Sequence, residues 1–121
     1  MTGTIDIQER ILGTRCCGDE PLTDLTATTA QELSDDFLIF GHPIRLQILH
    51  MLGRNAGQVC VCDLEAALPV KQPTVSHHLR LLREAGLIDC ERQGLWAYYF
   101  INRTAVAQRW AAISAYLQPL V

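Results

Sequence analysis

Residues 72–87 read Gln-Pro-Thr-Val-Ser-His-His-Leu-Arg-Leu-Leu-Arg-Glu-Ala-Gly-Leu, and the rest of the chain is interpreted around them. Val75, Leu79 and Leu82 recur at i, i+4 and i+7, which is the spacing of one face of a helix. The proline fits the first helical turn, and the glycine is typical of a left-handed turn at a helix end. The stretch therefore predicts an amphipathic helix.

The opposite face of this helix is polar. A helix with such a face fits the DNA major groove, where base edges present hydrogen-bond donors and acceptors. An ordinary surface helix explains the same pattern, so the neighbouring segments have to decide between the two interpretations. The polar side chains are Gln72, Thr74, Ser76, His77 and Arg80.

The segment before this helix runs from Cys60 to Leu68 and is predicted to begin extended and become a short helix. Leu64, Ala67 and Leu68 form the predicted inner face of that helix. Two short helices joined by a turn of three or four residues are typical of a helix-turn-helix. This context indicates that residues 72–85 form its recognition helix.

The segment after the helix changes to β-rich patterning. Residues 87–92 and 95–101 are two such runs, and Gly94 between them supplies the positive φ that a tight hairpin needs. The pattern predicts a β-wing with Arg92 and Gln93 near its tip, where they can reach the minor groove or the phosphates.

Helices are also predicted on both sides of this unit. Thr29 and Glu32 read as a capping box, and Pro43 begins a second helix. Asn102 is the predicted N-cap of a last helix with an apolar stripe. Because the stripe is broad for so small a core, we expect it to pack on a second copy of the chain and to place two recognition helices on a palindromic site. The stripe consists of Val106, Trp110, Ile113 and Leu117.

Composition limits the classes of protein. The 121 residues predict an arm over residues 1–28 and one domain over residues 29–121. No apolar run approaches the ~20 residues that cross a bilayer, and the N-terminus does not read as a secretory signal, so we expect a cytoplasmic protein without membrane contact. The net charge is −3. The first 70 residues hold four basic against ten acidic residues, whereas residues 71–121 hold six against three, which allows a basic DNA-facing surface.

The chain contains five cysteines. An odd number in an expected reducing compartment argues against a disulfide scaffold and favours metal binding or redox chemistry. Cys16 and Cys17 are adjacent, and Cys60 and Cys62 are two residues apart. Cys90 is interpreted as a small buried hydrophobic residue of the wing.

The order of elements and three phrases resemble the ArsR/SmtB family of winged-helix repressors over residues 29–118. The phrases are Gly41–Leu49, Cys60-Val61-Cys62-Asp63-Leu64 and Pro73–Leu79 continued by Ala85-Gly86-Leu87. The resemblance implies a mainly α fold with a β-hairpin, a winged helix-turn-helix dimerised through its terminal helices. It also implies a homodimeric repressor that binds operator DNA and releases it when a metal or metalloid is bound, with Ser76 and His77 at base edges.

Three features of the sequence depart from that pattern. Glu65 stands where the arsenic-responsive members usually have a third cysteine of the box. Residues 103–118 contain no His, Asp or Glu, so the zinc site on the last helix of other members is absent. Lys71 replaces a frequent serine cap, and its side chain can reach a phosphate.

The paired cysteines are the predicted ligands of the inducer. If Cys60 is extended, both thiols of its pair point to one side, since the strand period is two. Two thiolates are an incomplete site for a soft ion, and Cys16 and Cys17 complete it. We expect As(III) or Sb(III), which bind three thiolates, with Cd(II) or Pb(II), which accept three or four, as the alternative.

Two other functions stay open. A thiol redox-sensing repressor would form a disulfide between the two cysteine pairs. A thiol oxidoreductase is less compatible with the sequence, because the chain has no Cys-x-x-Cys and no glycine-rich oxyanion loop around a cysteine. The sequence therefore predicts a regulator and not an enzyme.

Overall fold

The computed structural model describes residues 17–121. These residues divide into two compact units, with the boundary between Gln31 and Glu32. The separation predicted after residue 28 stays a prediction. Helix α1 spans Ala27–Phe40.

The cap of α1 differs from the predicted one. Thr29 is already helical, and its backbone N–H donates to the Thr26 hydroxyl oxygen at 3.1 Å. Thr26 therefore caps the helix three residues earlier than expected. Either threonine is a suitable cap, since a hydroxyl can accept from an N–H that has no partner in the first helical turn. The prediction of Thr29 as the N-cap was wrong.

The remaining elements follow the predicted order and confirm a mainly α, winged helix-turn-helix fold. In the described part of the chain, no helix combines the length and the apolar character needed to cross a bilayer. The elements are α2 (Pro43–Arg54), β1 (Val59–Cys60), α3 (Val61–Ala67), α4 (Gln72–Glu84), β2 (Ile88–Gln93), β3 (Trp96–Ile101), α5 (Arg103–Leu117) and a short 3-10 turn (Gln118–Leu120).

The wing belongs to a three-stranded antiparallel sheet with strand order β1-β3-β2. β2 and β3 pair from Ile88 opposite Ile101 to Gln93 opposite Trp96. The turn is therefore Gly94–Leu95, one residue later than predicted, with Gly94 at φ 64°. The extended start of the cysteine segment is β1, which pairs with β3.

A single apolar core holds α4 in place. Its predicted inner face is confirmed, since Val75, Leu79 and Leu82 are all buried. Leu64 in α3 and Leu68 at its C-cap are buried as expected, whereas Ala67 is exposed, so that part of the prediction was wrong. The other buried members of the core are Ile44, Ile48, Leu52, Val59, Leu87 and Ile88.

The end of α4 fixes where the wing begins. Gly86 has a φ of 77°, its N–H donates to the Arg83 carbonyl, and the Leu87 N–H donates to the Leu82 carbonyl. This pair of bonds is the Schellman ending, which satisfies two carbonyls of the last turn and needs a left-handed residue. The Leu87 carbonyl in turn accepts from the Asn102 N–H, which joins the wing base to the start of α5.

The last helix leaves an apolar surface uncovered. Asn102 caps α5 as predicted, because its side chain accepts from the Ala105 N–H at 3.2 Å. Of the predicted stripe, Ile113 is buried, whereas Trp110 is 68% exposed and Leu117 is 40% exposed. Phe37 on α1 is also exposed. Dimerisation through this surface stays a prediction.

Candidate DNA interface and thiol site

The polar face of α4 is open to solvent. All the side chains that the sequence predicted at the DNA surface of this helix are exposed, and they are Lys71, Gln72, Thr74, Ser76, His77 and Arg80. Lys71 is the N-cap residue and makes no side-chain cap; its carbonyl accepts from the N–H groups of Thr74 and Val75. The Lys71 ammonium is thus not engaged in capping. A helix N-terminus with a lysine beside it attracts a phosphate group.

Two of these side chains contact each other. Arg80 Nη2 lies 3.2 Å from His77 Nδ1, and Arg80 Nε lies 4.0 Å from a Glu84 carboxylate oxygen. Both partners of the ion pair are mostly exposed, so the pair contributes little to stability. The contacts therefore orient the Arg80 guanidinium and leave it accessible from solvent.

His78, next to His77, has the opposite environment. It is only 5% exposed, and its Nδ1 lies 3.2 Å from Arg45 Nη1. Burial is the largest cause that lowers the pKa of His78, followed by the charges of His42, Arg45 and His77. His78 is therefore a buried structural side chain, and its lowered pKa favours the neutral imidazole.

The wing tip carries polar and apolar side chains together. Arg92 and Gln93 are exposed near the turn, where the sequence placed them. Leu95 and Trp96 are also exposed, and the sequence interpretation did not identify them as surface residues. Leu95 is exposed because it is one of the two turn residues, whereas Trp96 is the first residue of β3, next to the turn of the hairpin.

The Cys60–Cys62 pair lies where β1 becomes α3. Cys60 is the extended N-cap residue and Cys62 is in the first turn. Their Sγ atoms are 3.4 Å apart, so both thiols do point to one side as predicted. Cys62 is exposed and Cys60 is half-buried.

Asp63 completes this cluster and was not predicted as part of it. Its carboxylate accepts from the Cys60 N–H at 3.1 Å, and the same oxygen lies 3.4 Å from Cys60 Sγ. An acidic residue three positions after an N-cap is a local signal that the sequence does contain. Asp63 also lines a cleft of about 270 Å³ between the end of α2 and α3, together with Met51, Gln58 and Leu64.

The surroundings of Cys62 raise the pKa of its thiol above the ordinary value. The hydrogen bond with Cys60 is the largest cause that raises the pKa of Cys62, followed by desolvation and by the charges of Cys60 and Asp63. Two adjacent thiolates repel each other, and a carboxylate beside them adds to the repulsion. Two sulfur donors on one side of the chain suit a thiophilic ligand, and its binding to Cys62 displaces the thiol proton.

The other two predicted ligands, Cys16 and Cys17, precede the unit that contains Cys60 and Cys62. Cys16 lies outside the described residues, and Cys17 is exposed. Within residues 17–121 no three His, Cys, Asp or Glu side chains form a metal-binding group. Cys90 lies on β2 of the wing opposite Tyr99, as predicted, but it is half-buried and not fully buried.

The helix-turn-helix region of the chain matches a known protein family. Residues 42–89 match the sequence profile described as "Bacterial regulatory protein, arsR family". The matched region covers α2, both helices of the helix-turn-helix and the start of the wing.

Curated relatives agree with that match. The chain is 41% identical over 71 residues to an uncharacterized HTH-type transcriptional regulator of Methanocaldococcus jannaschii, which covers 59% of this chain and 79% of the relative. It is 43% identical over 76 residues to the arsenical resistance operon repressor of Escherichia coli, which covers 63% of this chain and 62% of that protein. In this second match the chain spans less than two thirds of the relative's length.

A solved structure has the same fold. The crystal structure described as a possible transcriptional regulator for arsenical resistance superposes with a TM-score of 0.62 at 29% identity, covering 69% of this chain and 84% of the other. The winged helix-turn-helix, the matching profile and the relatives lead to one conclusion. The chain belongs to the ArsR family of bacterial transcriptional regulators.

Proposed function

We propose that the protein is a homodimeric repressor that binds operator DNA through α4 and the wing. It releases the DNA when As(III) or Sb(III) is bound by cysteine thiolates. The observation that carries the proposal is the Cys60–Cys62 thiol pair at the start of α3, a helix that contacts the recognition helix α4. The family and the relatives support a transcriptional regulator, and no enzymatic activity is proposed.

The DNA-binding part rests on the exposed polar face of α4. Ser76 and His77 occupy its middle and can reach base edges, while Lys71 and Arg80 can reach phosphates on either side. Arg92 and Gln93 of the wing add contacts beyond the groove that the helix occupies. Each bidentate base contact discriminates by about 1–3 kcal/mol, so a few such residues suffice for operator recognition.

The dimer is supported by the uncovered apolar side chains of α1 and α5. Phe37 and Trp110 are large and exposed. A partner that covers them stabilises the dimer by about 25 cal/mol for each Å² of apolar surface that it buries. A twofold dimer places its two recognition helices about 34 Å apart, which corresponds to one turn of DNA. The proposed operator is accordingly a palindrome in double-stranded DNA, and the proposed location is the cytoplasm.

The thiol chemistry supports a soft inducer. Cys60 and Cys62 supply two sulfur donors on one side of the chain, and thiolates prefer soft ions over Mg²⁺ or Ca²⁺. The proposal takes the remaining donors from Cys16 and Cys17, of the same chain or of its dimer mate. Three thiolates suit As(III) or Sb(III).

Cd(II) or Pb(II) is the alternative inducer, and one observation favours it. The Asp63 carboxylate lies 3.4 Å from Cys60 Sγ and offers an oxygen donor that a divalent cation accepts more readily than a trivalent metalloid does. An Asp63→Asn substitution separates the two inducers: it weakens a response to Cd(II) or Pb(II) and leaves a response to As(III) intact.

The proposed release is a coupling between the thiol site and the DNA surface. Ligation at Cys60 and Cys62 repositions the start of α3, and α3 shares the core with α4 through Leu64. A small rotation of α4 in each protomer then spoils the spacing of the two half-sites. Couplings of this kind typically amount to about 1–3 kcal/mol, or roughly 5–150-fold in affinity.

The test is a DNA-release titration with As(III), Sb(III), Cd(II), Pb(II), Zn(II) and peroxide at one stated salt concentration, because phosphate contacts make affinity salt-dependent. We expect the Cys60→Ser/Cys62→Ser variant to bind operator like the wild type and to ignore the inducer. Cys90→Ser is the matched control and should respond normally. Normal release by the double variant would refute the thiol site.

A redox-sensing repressor, with the disulfide between the two cysteine pairs, is the second candidate, and the solvent exposure of the Cys62 thiol favours it. In that case peroxide alone would release DNA, a thiol reductant would restore binding, and none of the ions would act on the reduced protein. The same titration therefore distinguishes the two functions.

A further inference from the structure

Two arginines connect the second half of α1 to the recognition helix α4. Arg45 belongs to α2 and Arg109 belongs to α5, and neither is among the residues proposed to face DNA. Both lie in the unit formed by residues 32–121.

Arg45 uses all three of its nitrogens in this connection. Its Nε donates to the Ile39 carbonyl at 2.8 Å and its Nη2 donates to the Leu38 carbonyl at 2.9 Å, both at the end of α1. Its Nη1 lies 3.2 Å from Nδ1 of His78, the buried histidine in the middle of α4. Since arginine has no acceptor, His78 Nδ1 is the acceptor, and the ring proton of the neutral imidazole is assigned to Nε2.

Arg109 makes the corresponding connection at the end of α4. Its Nη1 forms an ion pair with Asp36 of α1, whose side chain is 14% exposed. Its Nη2 donates to the carbonyl of Ala85, the C-cap residue of α4, at 2.8 Å. The last carbonyls of a helix have no partner within the helix and carry partial negative charge, so a guanidinium there is a favourable ligand.

The two contacts lie seven residues apart on α4, or about 10 Å along its axis. A helix held at one point can still pivot around that point, whereas two separated contacts restrict both its tilt and its rotation. The same two arginines hold α1 at Asp36 and at the carbonyls of Leu38 and Ile39. The second half of α1 and α4 are therefore joined at two separate points.

We propose that Arg45 and Arg109 are positioning residues that clamp the recognition helix to α1, so that operator affinity depends on a contact away from the DNA. The clamp deepens the proposed function and rests on it. It also gives α1, the helix that follows the Cys16–Cys17 segment in the sequence, an effect on DNA binding that is independent of α3.

The test uses Asp36→Asn, because a pure charge effect and release of the clamp change the affinity for DNA in opposite directions. Removing one negative charge from a DNA-binding protein strengthens DNA binding if electrostatics alone acts. Releasing the clamp weakens it. Glu32→Gln is the matched control, since Glu32 is an exposed residue four positions earlier on the same helix and loses the same charge.

We expect operator affinity, measured by fluorescence anisotropy at fixed salt, to fall about tenfold for Asp36→Asn, within the usual range of intersite coupling. Glu32→Gln should bind as tightly as the wild type or slightly more tightly. Arg45→Lys should also weaken binding, because an ammonium keeps the charge but cannot reproduce three contacts in fixed directions. Wild-type affinity in Asp36→Asn or in Arg45→Lys would overturn the clamp.

Hydrogen exchange without DNA provides an independent result. The clamp predicts faster exchange at the Gly86 and Leu87 amides in Asp36→Asn, with unchanged rates in β2–β3 and in Glu32→Gln. Unchanged exchange rates at the end of α4 would overturn the clamp, whether or not the wild type binds operator. A wild type that binds no operator would refute the proposed function and would leave the exchange result as a separate test of the clamp.

Discussion

The adjacent histidines of the recognition helix provide a matched pair for separating DNA reading from folding. His77 is exposed on the polar face, whereas His78 is 5% exposed and contacts Arg45. His77→Ala and His78→Ala delete the same side chain at neighbouring positions. If the face assignment is right, the first variant loses DNA affinity and the second loses stability.

The magnitudes follow from these environments. An exposed substitution away from special contacts changes stability by less than about 0.5 kcal/mol, while losing a base contact costs about 1–3 kcal/mol, or roughly 5–150-fold in operator affinity. His78→Ala removes a hydrogen bond to a charged group, at about 1.5–3 kcal/mol. It also removes the packing of its ring on His42, whose centroid lies 4.3 Å away. At about 4 °C for each kcal/mol, the melting temperature should fall by roughly 10 °C.

The assay compares both variants with the wild type by thermal unfolding and by anisotropy on operator and scrambled duplexes at the same salt concentration. His77→Ala should keep the melting temperature and its affinity for scrambled DNA while losing affinity for the operator. An equal loss of melting temperature in both variants would refute the assignment of the two faces. Unchanged operator affinity in His77→Ala would refute the role of His77 at a base edge.

Three further predictions test other parts of the molecule. Gly86→Ala should lower the free energy of unfolding by about 1–2 kcal/mol in denaturant titrations, because φ is 77° there although nothing obstructs a Cβ; an unchanged value would contradict the left-handed ending. Arg92→Ala should weaken operator and scrambled DNA alike and reduce the slope of log K against log salt by about 1; an unchanged slope would mean that this wing residue does not reach a phosphate. Burial lowers the pKa of His78 below its unfolded value, so the native state binds fewer protons there. Stability should therefore be fully present above the unfolded pKa, near 6.5, and fall as pH decreases below it, and His78→Gln should flatten this dependence.

The recognition helix was predictable because its signals are local. The i, i+4, i+7 spacing, the proline of the first turn and Gly86 are all within the stretch, and the structure confirms Gln72–Glu84 with its three apolar residues buried. The wing was predictable for the same reason, although its turn lies one residue later than expected. Pairing of Gln93 with Trp96 decides that position, and it depends on the register of both strands.

Local signals were ambiguous where two residues could serve one role. Thr26 and Thr29 both precede a helical pattern, and only the backbone path selects Thr26 as the cap. Asp63 was overlooked although its spacing from Cys60 is that of a capping box. Ala67 lies on the helical face expected to be inside, but its position at the end of α3 leaves it exposed.

By itself, the sequence determined the elements, their order, the polar face of α4 and the thiol pair at the start of α3. These depend on residues within one or two helical turns of each other, where backbone geometry converts spacing directly into position. Only the tertiary structure decided that Arg45 reaches His78, 33 residues away, and that Arg109 joins Asp36, 73 residues away, to the end of α4. The N–H groups of an arginine can donate to many different acceptors. How the helices pack decides which acceptor is within reach. The contacts that Arg45 and Arg109 make with α4 are therefore a property of the fold, whereas the polar face of α4 can be identified from the sequence.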